Sequence, residues 1–152
     1  MNTLGRHLLA EFYGCDVVRL NDCATVEAAV RAAADAVGAT VLQVVAHRFA
    51  PQGVTATAIL AESHLSIHTW PEHGYAAADI FTCGDLDPRP GFSLLAQHLH
   101  AQQARMHVLL RGVDAHVQPH DIVRPEDVTL LSTLSPLAPV HTAPPPQPRE
   151  DT

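Results

Sequence analysis

The fold is decided by one stretch of the chain, residues 54–83, which reads VTATAILAESHLSIHTWPEHGYAAADIFTC. Residues 54–61 and 64–70 alternate between apolar and other side chains, and a period of two predicts half-buried β-strands. The PEHG sequence at positions 71–74 is typical of a turn, after which residues 75–82 return as the hairpin partner. The stretch therefore predicts three consecutive antiparallel strands.

The flanking sequence adds further elements on both sides of this stretch. Upstream, residues 6–13 and 40–47 have the composition of strands, and residues 23–37 repeat apolar side chains at helical spacing. Downstream, residues 92–103 predict a helix and residues 106–110 a final strand. The predicted order is β-α-β-β-β-β-α-β.

This order predicts an α+β fold in which two helices cover one face of an antiparallel sheet. Four consecutive strands imply antiparallel pairing, and two helices are enough to cover only one side. We therefore expect a two-layer sandwich whose second sheet face is bare. A second copy of the chain is expected to cover that face, which gives a four-layer αββα homodimer.

The C-terminal part of the chain differs in composition from the rest. Eight of the twelve prolines lie in the last 35 residues. Proline removes backbone hydrogen-bond donors, and this segment has too few apolar residues to bury a core. We predict a folded domain over residues 1–113 and a largely disordered Pro-rich extension over 114–152, in which a short helix starts at Pro125.

Charge and composition exclude several classes of function. The chain has a net charge of −7, and all nine of its basic side chains are arginines. Without lysine it cannot hold pyridoxal phosphate as a Schiff base, reach a nucleotide phosphate with a P-loop lysine, or form a lysine imine with a carbonyl substrate. The acidic balance gives no support for a nucleic acid or an anionic membrane as partner.

The cysteines and the N-terminus bear on localisation. There are three cysteines, at positions 15, 23 and 83, and none of them forms a CxxC pair. An odd number without such spacing argues against a disulfide framework. The first 14 residues lack the cleavage site of a signal peptide, and no apolar run reaches the roughly 18 residues of a membrane span. We therefore expect a cytoplasmic protein.

The densest polar cluster is residues 62–73, ESHLSIHTWPEH, on the predicted strand-turn-strand. His64 and His68 share a strand face, but at this spacing they lie roughly 13 Å apart, too far for one metal ion. Glu62, His73 and Cys83 add donors without a recognised ligand spacing, so we predict no metal site.

A serine hydrolase is the second chemistry that this cluster could support. Neither Ser63 nor Ser66 lies in a Gly-x-Ser-x-Gly elbow, and the sequence has no Gly-rich oxyanion loop. Taken singly, a serine or histidine on a strand usually forms a structural hydrogen bond. The cluster gains significance only from its context.

Residues 61–84, AESHLSIHTWPEHGYAAADIFTCG, resemble the signature of the prokaryotic S-adenosylmethionine decarboxylase proenzymes. The resemblance extends to GRH at positions 5–7, FAPQGV at 49–54 and GDLDP at 84–88. It covers about residues 1–112, which makes the folded domain the expected catalytic domain.

The resemblance implies that the chain cleaves itself between Glu62 and Ser63. The Ser63 Oγ would attack the Glu62 carbonyl to give an ester, and His68 would remove the Ser63 α-proton so that the ester is eliminated. Loss of ammonia would then leave a covalent pyruvoyl cofactor at position 63. Thr55 stands where the family usually has a serine whose hydroxyl assists processing. We expect Thr55 to assist processing in the same way, but more slowly, because its side chain is stiffer.

The resemblance also implies a substrate and the residues that bind it. The pyruvoyl carbonyl would bind the amine of S-adenosylmethionine as an imine and accept the electrons released with CO₂. Cys83 would be the proton donor, Phe49 would stack on the adenine and Glu72 would bind the ribose hydroxyls. In the family the active site lies at the interface of a dimer, and the product is the aminopropyl donor for spermidine synthesis.

Three alternatives remain open at the level of sequence. The same pyruvoyl chemistry could act on arginine or ornithine. An unprocessed chain could serve as a non-catalytic binding protein, and the histidine cluster could form a metal-binding module.

Overall fold

The computed structural model describes residues 4–112 of the chain. Within them the elements are, in order, β1 (Gly5–Tyr13), α1 (Val17–Leu20), α2 (Cys23–Val37), β2 (Val41–Arg48), β3 (Val54–Leu60), β4 (Ser63–Trp70), a 3₁₀ turn (Pro71–His73), β5 (Tyr75–Cys83), α3 (Arg89–His98) and β6 (Gln103–Arg111). The predicted order of strands and of the two longer helices is confirmed. The extension over 114–152 and the helix at Pro125 lie outside the described residues.

Helix α1 is an element that the sequence analysis missed. It is a single turn, capped by the Asp16 side chain, which accepts hydrogen bonds from the backbone N–H groups of Val18 and Arg19. Four residues are too few to show a helical period, so only the capping aspartate could have indicated this turn.

The predicted limits of α3 were wrong at both ends. The helix begins at Arg89 rather than residue 92, because Pro90 falls in its first turn, where a missing N–H group costs nothing. It ends at His98 rather than residue 103, since His100 has a φ of 51° and turns the chain out of the helix. The residues freed at the C-terminal end start β6 at Gln103.

The six strands form one antiparallel sheet in the order β2-β3-β4-β5-β1-β6. Helices α2 and α3 pack together on one face of it, where they bury alternate residues of the strands such as Leu65, Ile67 and Ile80. Burying each such side chain contributes about 1.5–3 kcal/mol. The predicted two-layer α+β sandwich is therefore confirmed.

The second sheet face, called the open face below, carries no helix within residues 4–112. Apolar side chains on this face remain 36–55% exposed, namely Leu9, Tyr13, Val45, Ile59 and Leu109. Polar and aromatic residues of β4 and β5 lie among them. No helix in this part of the chain is long and apolar enough to cross a membrane.

Candidate active site

The turn between β3 and β4 holds the peptide bond that the sequence analysis singled out. Ser63 is the first residue of β4 and has a φ of 156°, a region that residues with a side chain rarely adopt. The backbone N–H of Cys83 donates a hydrogen bond of 3.0 Å to the Glu62 carbonyl oxygen. A donor at this position stabilises negative charge that develops on the oxygen when the carbonyl is attacked.

The Glu62 side chain fixes the same turn from the other side. Its carboxylate accepts a 2.9 Å hydrogen bond from the backbone N–H of Thr40, which lies just before β2. This hydrogen bond lowers the pKa of Glu62, so the carboxylate stays charged and bound. The backbone N–H of Ala61 also donates to the Thr40 carbonyl, at 2.9 Å. The cleavage turn is therefore tied to the chain on both sides.

Cys83 lies beside this turn at the end of β5. Its side chain is exposed, and its backbone is paired with Gly5 of β1. The structure thus brings Glu62, Ser63 and Cys83 together, and they are called the cleavage end below.

His68 and Thr55 face each other on neighbouring strands of the open face. The Thr55 Oγ1 and the His68 Nδ1 are 2.5 Å apart, and the two residues are paired in register. The His68 ring also contacts Trp70, with ring centroids 4.2 Å apart, and Phe49, with centroids 5.6 Å apart. The hydroxyl and the two rings together hold the imidazole in one orientation.

Glu72 lies in the 3₁₀ turn beyond Trp70. Its carboxylate accepts a hydrogen bond of 3.1 Å from the Gln52 side chain. Gln52 lies in the β2–β3 loop, and Phe49, which is 42% exposed, is the first residue of that loop. Phe49, Thr55, His68, Trp70 and Glu72 are called the aromatic end below.

The two ends do not meet within one chain. Ser63 and His68 are five positions apart along β4, and a strand rises about 3.3 Å per residue, so their Cα atoms lie roughly 16 Å apart. The structure therefore assembles the predicted site residues in two groups at opposite ends of the sheet.

The five candidate metal ligands from the sequence are far apart in two groups: Glu62, His64 and Cys83 lie at or next to the cleavage end, and His68 and His73 at or next to the aromatic end. A different group is found among the described residues, formed by His7, His64 and Asp79, whose ligand atoms all lie within 4.8 Å of one another. Sequence reasoning missed His7 and Asp79. Asp79 is the only charged residue of β5, and His7 lies in the GRH segment at positions 5–7 to which the resemblance extends, so both residues carried a usable signal.

Tyr75 was also missed. Its ring packs on Trp70 with centroids 5.2 Å apart, and its hydroxyl donates a hydrogen bond to Glu11. Burial, together with this hydrogen bond, raises the pKa of Tyr75, so the phenol remains protonated. It extends the aromatic end toward β1.

Comparison with known proteins gives one consistent result. A family model described as S-adenosylmethionine decarboxylase matches residues 6–112. A protein of Caldanaerobacter subterraneus subsp. tengcongensis named S-adenosylmethionine decarboxylase proenzyme is 50% identical over 114 residues, which are 74% of this chain and 92% of that protein.

Two further similarities extend this result to another organism and to the fold. A protein of the same name from Prochlorococcus marinus is 54% identical over 100 residues, which are 65% of this chain and 80% of that protein. The crystal structure of the adenosylmethionine decarboxylase from Aquifex aeolicus matches with a TM-score of 0.69 at 32% identity, covering 78% of this chain and 97% of that one.

Proposed function

The chain belongs to the S-adenosylmethionine decarboxylase family, and we propose that it decarboxylates S-adenosylmethionine with a pyruvoyl group made from its own Ser63. The product is the aminopropyl donor for spermidine synthesis. The matched relatives are named for this substrate, so arginine and ornithine are not favoured.

The observation that carries the proposal is the strained backbone, with a fixed hydrogen-bond donor, at the Glu62–Ser63 peptide bond. The Ser63 backbone is held at a φ of 156°, and the Glu62 carbonyl accepts the Cys83 N–H. Backbone strain of this kind stores about 1–3 kcal/mol, which cleavage of the bond releases. The strain and the fixed N–H donor together favour attack of the Ser63 hydroxyl on the Glu62 carbonyl.

The cleavage conserves atoms and charge in three steps. The Ser63 Oγ bonds to the Glu62 carbonyl carbon, the C–N bond breaks, and the nitrogen leaves as an amine, so that an amide becomes an ester. Removal of the Ser63 α-proton then breaks the Cβ–Oγ bond, and Glu62 departs as a carboxylate. The remaining dehydroalanine tautomerises and takes up water, which releases ammonia and leaves the ketone of a pyruvoyl group.

The base for the second step is His68, which a second copy must supply. The open face exposes apolar side chains, and stacked sheets pack about 10 Å apart, close enough for side chains of both to meet. A two-fold axis that lies between the two sheets and runs perpendicular to the strands reverses the strand direction of the second copy. It therefore sets the cleavage end of one copy against the aromatic end of the other. This αββα homodimer holds two complete sites.

The aromatic end supplies groups that suit a cationic nucleoside. The exposed Phe49 ring can stack on the adenine, and the Glu72 carboxylate, oriented by Gln52, can accept hydrogen bonds from both ribose hydroxyls. Aromatic faces and a carboxylate also favour the positive sulfonium.

The cleavage end supplies the chemistry at the substrate carbon. A pyruvoyl group provides a carbonyl that binds the substrate amine and accepts the electrons released with CO₂. The exposed Cys83 thiol, beside position 63, then donates a proton to the carbon that has lost the carboxylate. The catalytic domain over residues 1–113 and the cytoplasmic location stay predictions.

Intact-mass measurement of the purified chain tests the proposal. We expect two chains divided after Glu62, the second lighter at its N-terminus by the change from serine to pyruvoyl. Ser63→Ala is expected to remain one chain and to release no CO₂ from carboxyl-labelled S-adenosylmethionine. The matched control is Ser93→Ala, on an exposed position of α3, which should behave as wild type.

Two results would contradict the proposal. A wild-type chain that remains whole and unmodified would rule out the cofactor. A cleaved chain that releases CO₂ from labelled arginine or ornithine, but not from S-adenosylmethionine, would retain the cofactor and change the substrate.

A further inference from the structure

A chain of hydrogen bonds leads from Ser63 into the open face. The Ser63 Oγ lies 3.3 Å from the His64 Nδ1, and the His64 Nε2 lies 2.9 Å from an Asp79 carboxylate oxygen. The same oxygen lies 3.1 Å from the His7 Nε2, and the His7 Nδ1 lies 3.1 Å from an Arg111 guanidinium nitrogen.

The chemistry of the partners assigns the protons along this chain. Arg111 can only donate, so the His7 Nδ1 accepts and the His7 proton is on Nε2, directed at Asp79. The Asp79 carboxylate can only accept, so the His64 proton is also on Nε2. The His64 Nδ1 is thereby left as an unprotonated acceptor facing the Ser63 hydroxyl.

We propose that His64, held in this tautomer by Asp79, is the general base that activates Ser63 for attack on the Glu62 carbonyl. The inference rests on the proposed self-cleavage and adds a second base to it. Ser63, His64 and Asp79 form a serine–histidine–aspartate arrangement like that of serine hydrolases. The sequence did not indicate it, because Ser63 does not lie in a Gly-x-Ser-x-Gly elbow. Here its target is the peptide bond of its own chain.

The step balances without any other reactant. The Ser63 hydroxyl proton moves to the His64 Nδ1 as the Oγ–carbon bond forms, and the Asp79 carboxylate stabilises the imidazolium. The same proton then passes to the Ser63 nitrogen as the C–N bond breaks. His64 ends neutral, the ester is formed and no net charge has changed.

This base is separate in position and role from His68. His64 is adjacent to Ser63 within one chain, whereas His68 is roughly 16 Å away along the same strand. His64 can therefore serve the first step inside one copy, and His68 serves the elimination from the second copy. Asp79 and His7 act through His64 and are positioning residues.

The same three side chains could be read as a metal site, and the Arg111 contact argues against it. A metal ion would take the lone pairs on Nε2 of both histidines. His7 would then carry its proton on Nδ1, where it would face the Arg111 donor at 3.1 Å. Two donors in contact are unfavourable, so the group is better satisfied as a hydrogen-bonded network.

The surroundings hold the two histidine rings in place. The His7 ring centroid is 5.1 Å from that of Phe81, and the His64 centroid is 6.0 Å from it. The side chains of His7 and Asp79 are only 16% and 29% exposed. The base is thus oriented before the reaction, which lowers the cost of reaching the transition state.

Hydroxylamine trapping of the full-length His64→Gln proenzyme tests the inference, because hydroxylamine cleaves esters and leaves amides intact. We expect cleavage to slow by a factor on the order of 10²–10⁴ and the chain to resist hydroxylamine, since the block precedes the ester. His68→Gln is expected to accumulate the ester, which hydroxylamine divides into a Glu62 hydroxamate and a chain that begins with Ser63.

Further variants separate a catalytic from a structural role. In His64→Gly, added imidazole should restore cleavage, which a mere folding defect would not allow. Asp79→Asn should slow the first step without accumulating ester, and it supplies the readout if the His64 variants fail to fold. His100→Gln, an exposed histidine after α3, is the matched control and should be cleaved as wild type.

Several results would overturn the inference. Cleavage of His64→Gln at the wild-type rate would do so, and so would accumulation of hydroxylamine-sensitive ester in this variant. Loss of wild-type cleavage in a chelator, restored by Zn²⁺, would assign the three side chains to a metal instead. In each of these cases the wild-type chain itself is still cleaved, in the last one when Zn²⁺ is present. Only the role of His64 then fails, and the proposed function remains.

Discussion

Cys83 contributes to the site through two different parts of the residue. Its backbone N–H donates a hydrogen bond of 3.0 Å to the Glu62 carbonyl, whereas its side chain is exposed. In the proposed mechanism the first contact serves the cleavage of the chain, and the thiol serves as the proton donor in decarboxylation. A side-chain substitution therefore separates the two reactions.

Cys83→Ala is expected to be cleaved normally and to decarboxylate poorly. Alanine keeps the N–H donor but removes the acid, and loss of a general acid typically costs a factor on the order of 10²–10⁴ in rate. Intact mass measures cleavage, and CO₂ release measures turnover. Cys23→Ala, a free cysteine at the start of α2, is the control for both. A Cys83→Ala chain that turns over at the wild-type rate would contradict the role of the thiol.

Thr55 acts on the opposite end through its contact with His68. Thr55→Ala removes the hydroxyl that orients the imidazole, and misplacing a catalytic group costs on the order of 10–100-fold in rate. We expect cleavage to slow by that factor, measured as the fraction of intact chain over time. Thr55→Ser should be cleaved at least as fast as wild type, because serine keeps the hydroxyl without the stiffer side chain.

Thr57→Ala is the matched control, since Thr57 lies on the same strand and face but is paired with Ser66 instead of His68. Equal slowing in both alanine variants would show that the effect comes from strand β3 as a whole. In that case the hydroxyl contact would have no particular part in cleavage.

The limits of sequence reasoning at this scale are clear from Asp79 and His7. Ser63, His68 and Cys83 lie in one long motif in which the resemblance implies a role for each of them, whereas Asp79 lies in the same motif without an implied role. Asp79 meets His64 and His7 across three strands, and those contacts are diagonal to the register pairs. They depend on sheet twist and side-chain rotamers, which no spacing in the sequence reveals.

Among the elements, the strands and both ends of α2 were predictable, whereas the ends of α3 were not. Alternation in β3 and β4 has a period of two, which identifies both the strand and the face that each residue occupies. The ends of α3 depend instead on a proline and on the backbone angle of His100, which are single-residue effects. The separation of the site into two ends follows from strand length, and so could have been derived from the sequence.

The packing of α3 on α2 gives a prediction at the scale of elements. A Cβ atom at Gly91 would lie 2.8 Å from the Ile80 Cδ1 and 2.9 Å from the Val37 Cγ2. Gly91→Ala must therefore push α3 away, which we expect to lower the free energy of unfolding by about 1–3 kcal/mol. Urea unfolding measures the change, with Ser93→Ala, exposed on the same helix, as the control. Unchanged stability would mean that the helices can move apart without cost.

At the scale of the whole molecule, the distance between the two ends is the decisive fact. A single chain carries every residue of the proposed site but holds them roughly 16 Å apart along β4. Either His68 has no part in the cleavage at Ser63, or a second copy of the chain completes the site. The exposed apolar side chains of the open face favour the second copy, because a monomer rarely leaves such a surface uncovered.

Co-expression of two inactive variants distinguishes these cases. Alone, Ser63→Ala has no nucleophile and His68→Gln has no base for elimination, so neither should form a pyruvoyl group. In a mixed dimer, the His68→Gln chain keeps its own Ser63 and receives His68 from the Ser63→Ala chain. We therefore expect pyruvoyl formation in the His68→Gln chain only, with about half of the sites active in each mixed dimer because one of its two sites is intact. Intact mass identifies which chain was cleaved. If neither chain is cleaved although the dimer forms, His68 must act on the Ser63 of its own chain, and the two-fold arrangement across the open face is wrong.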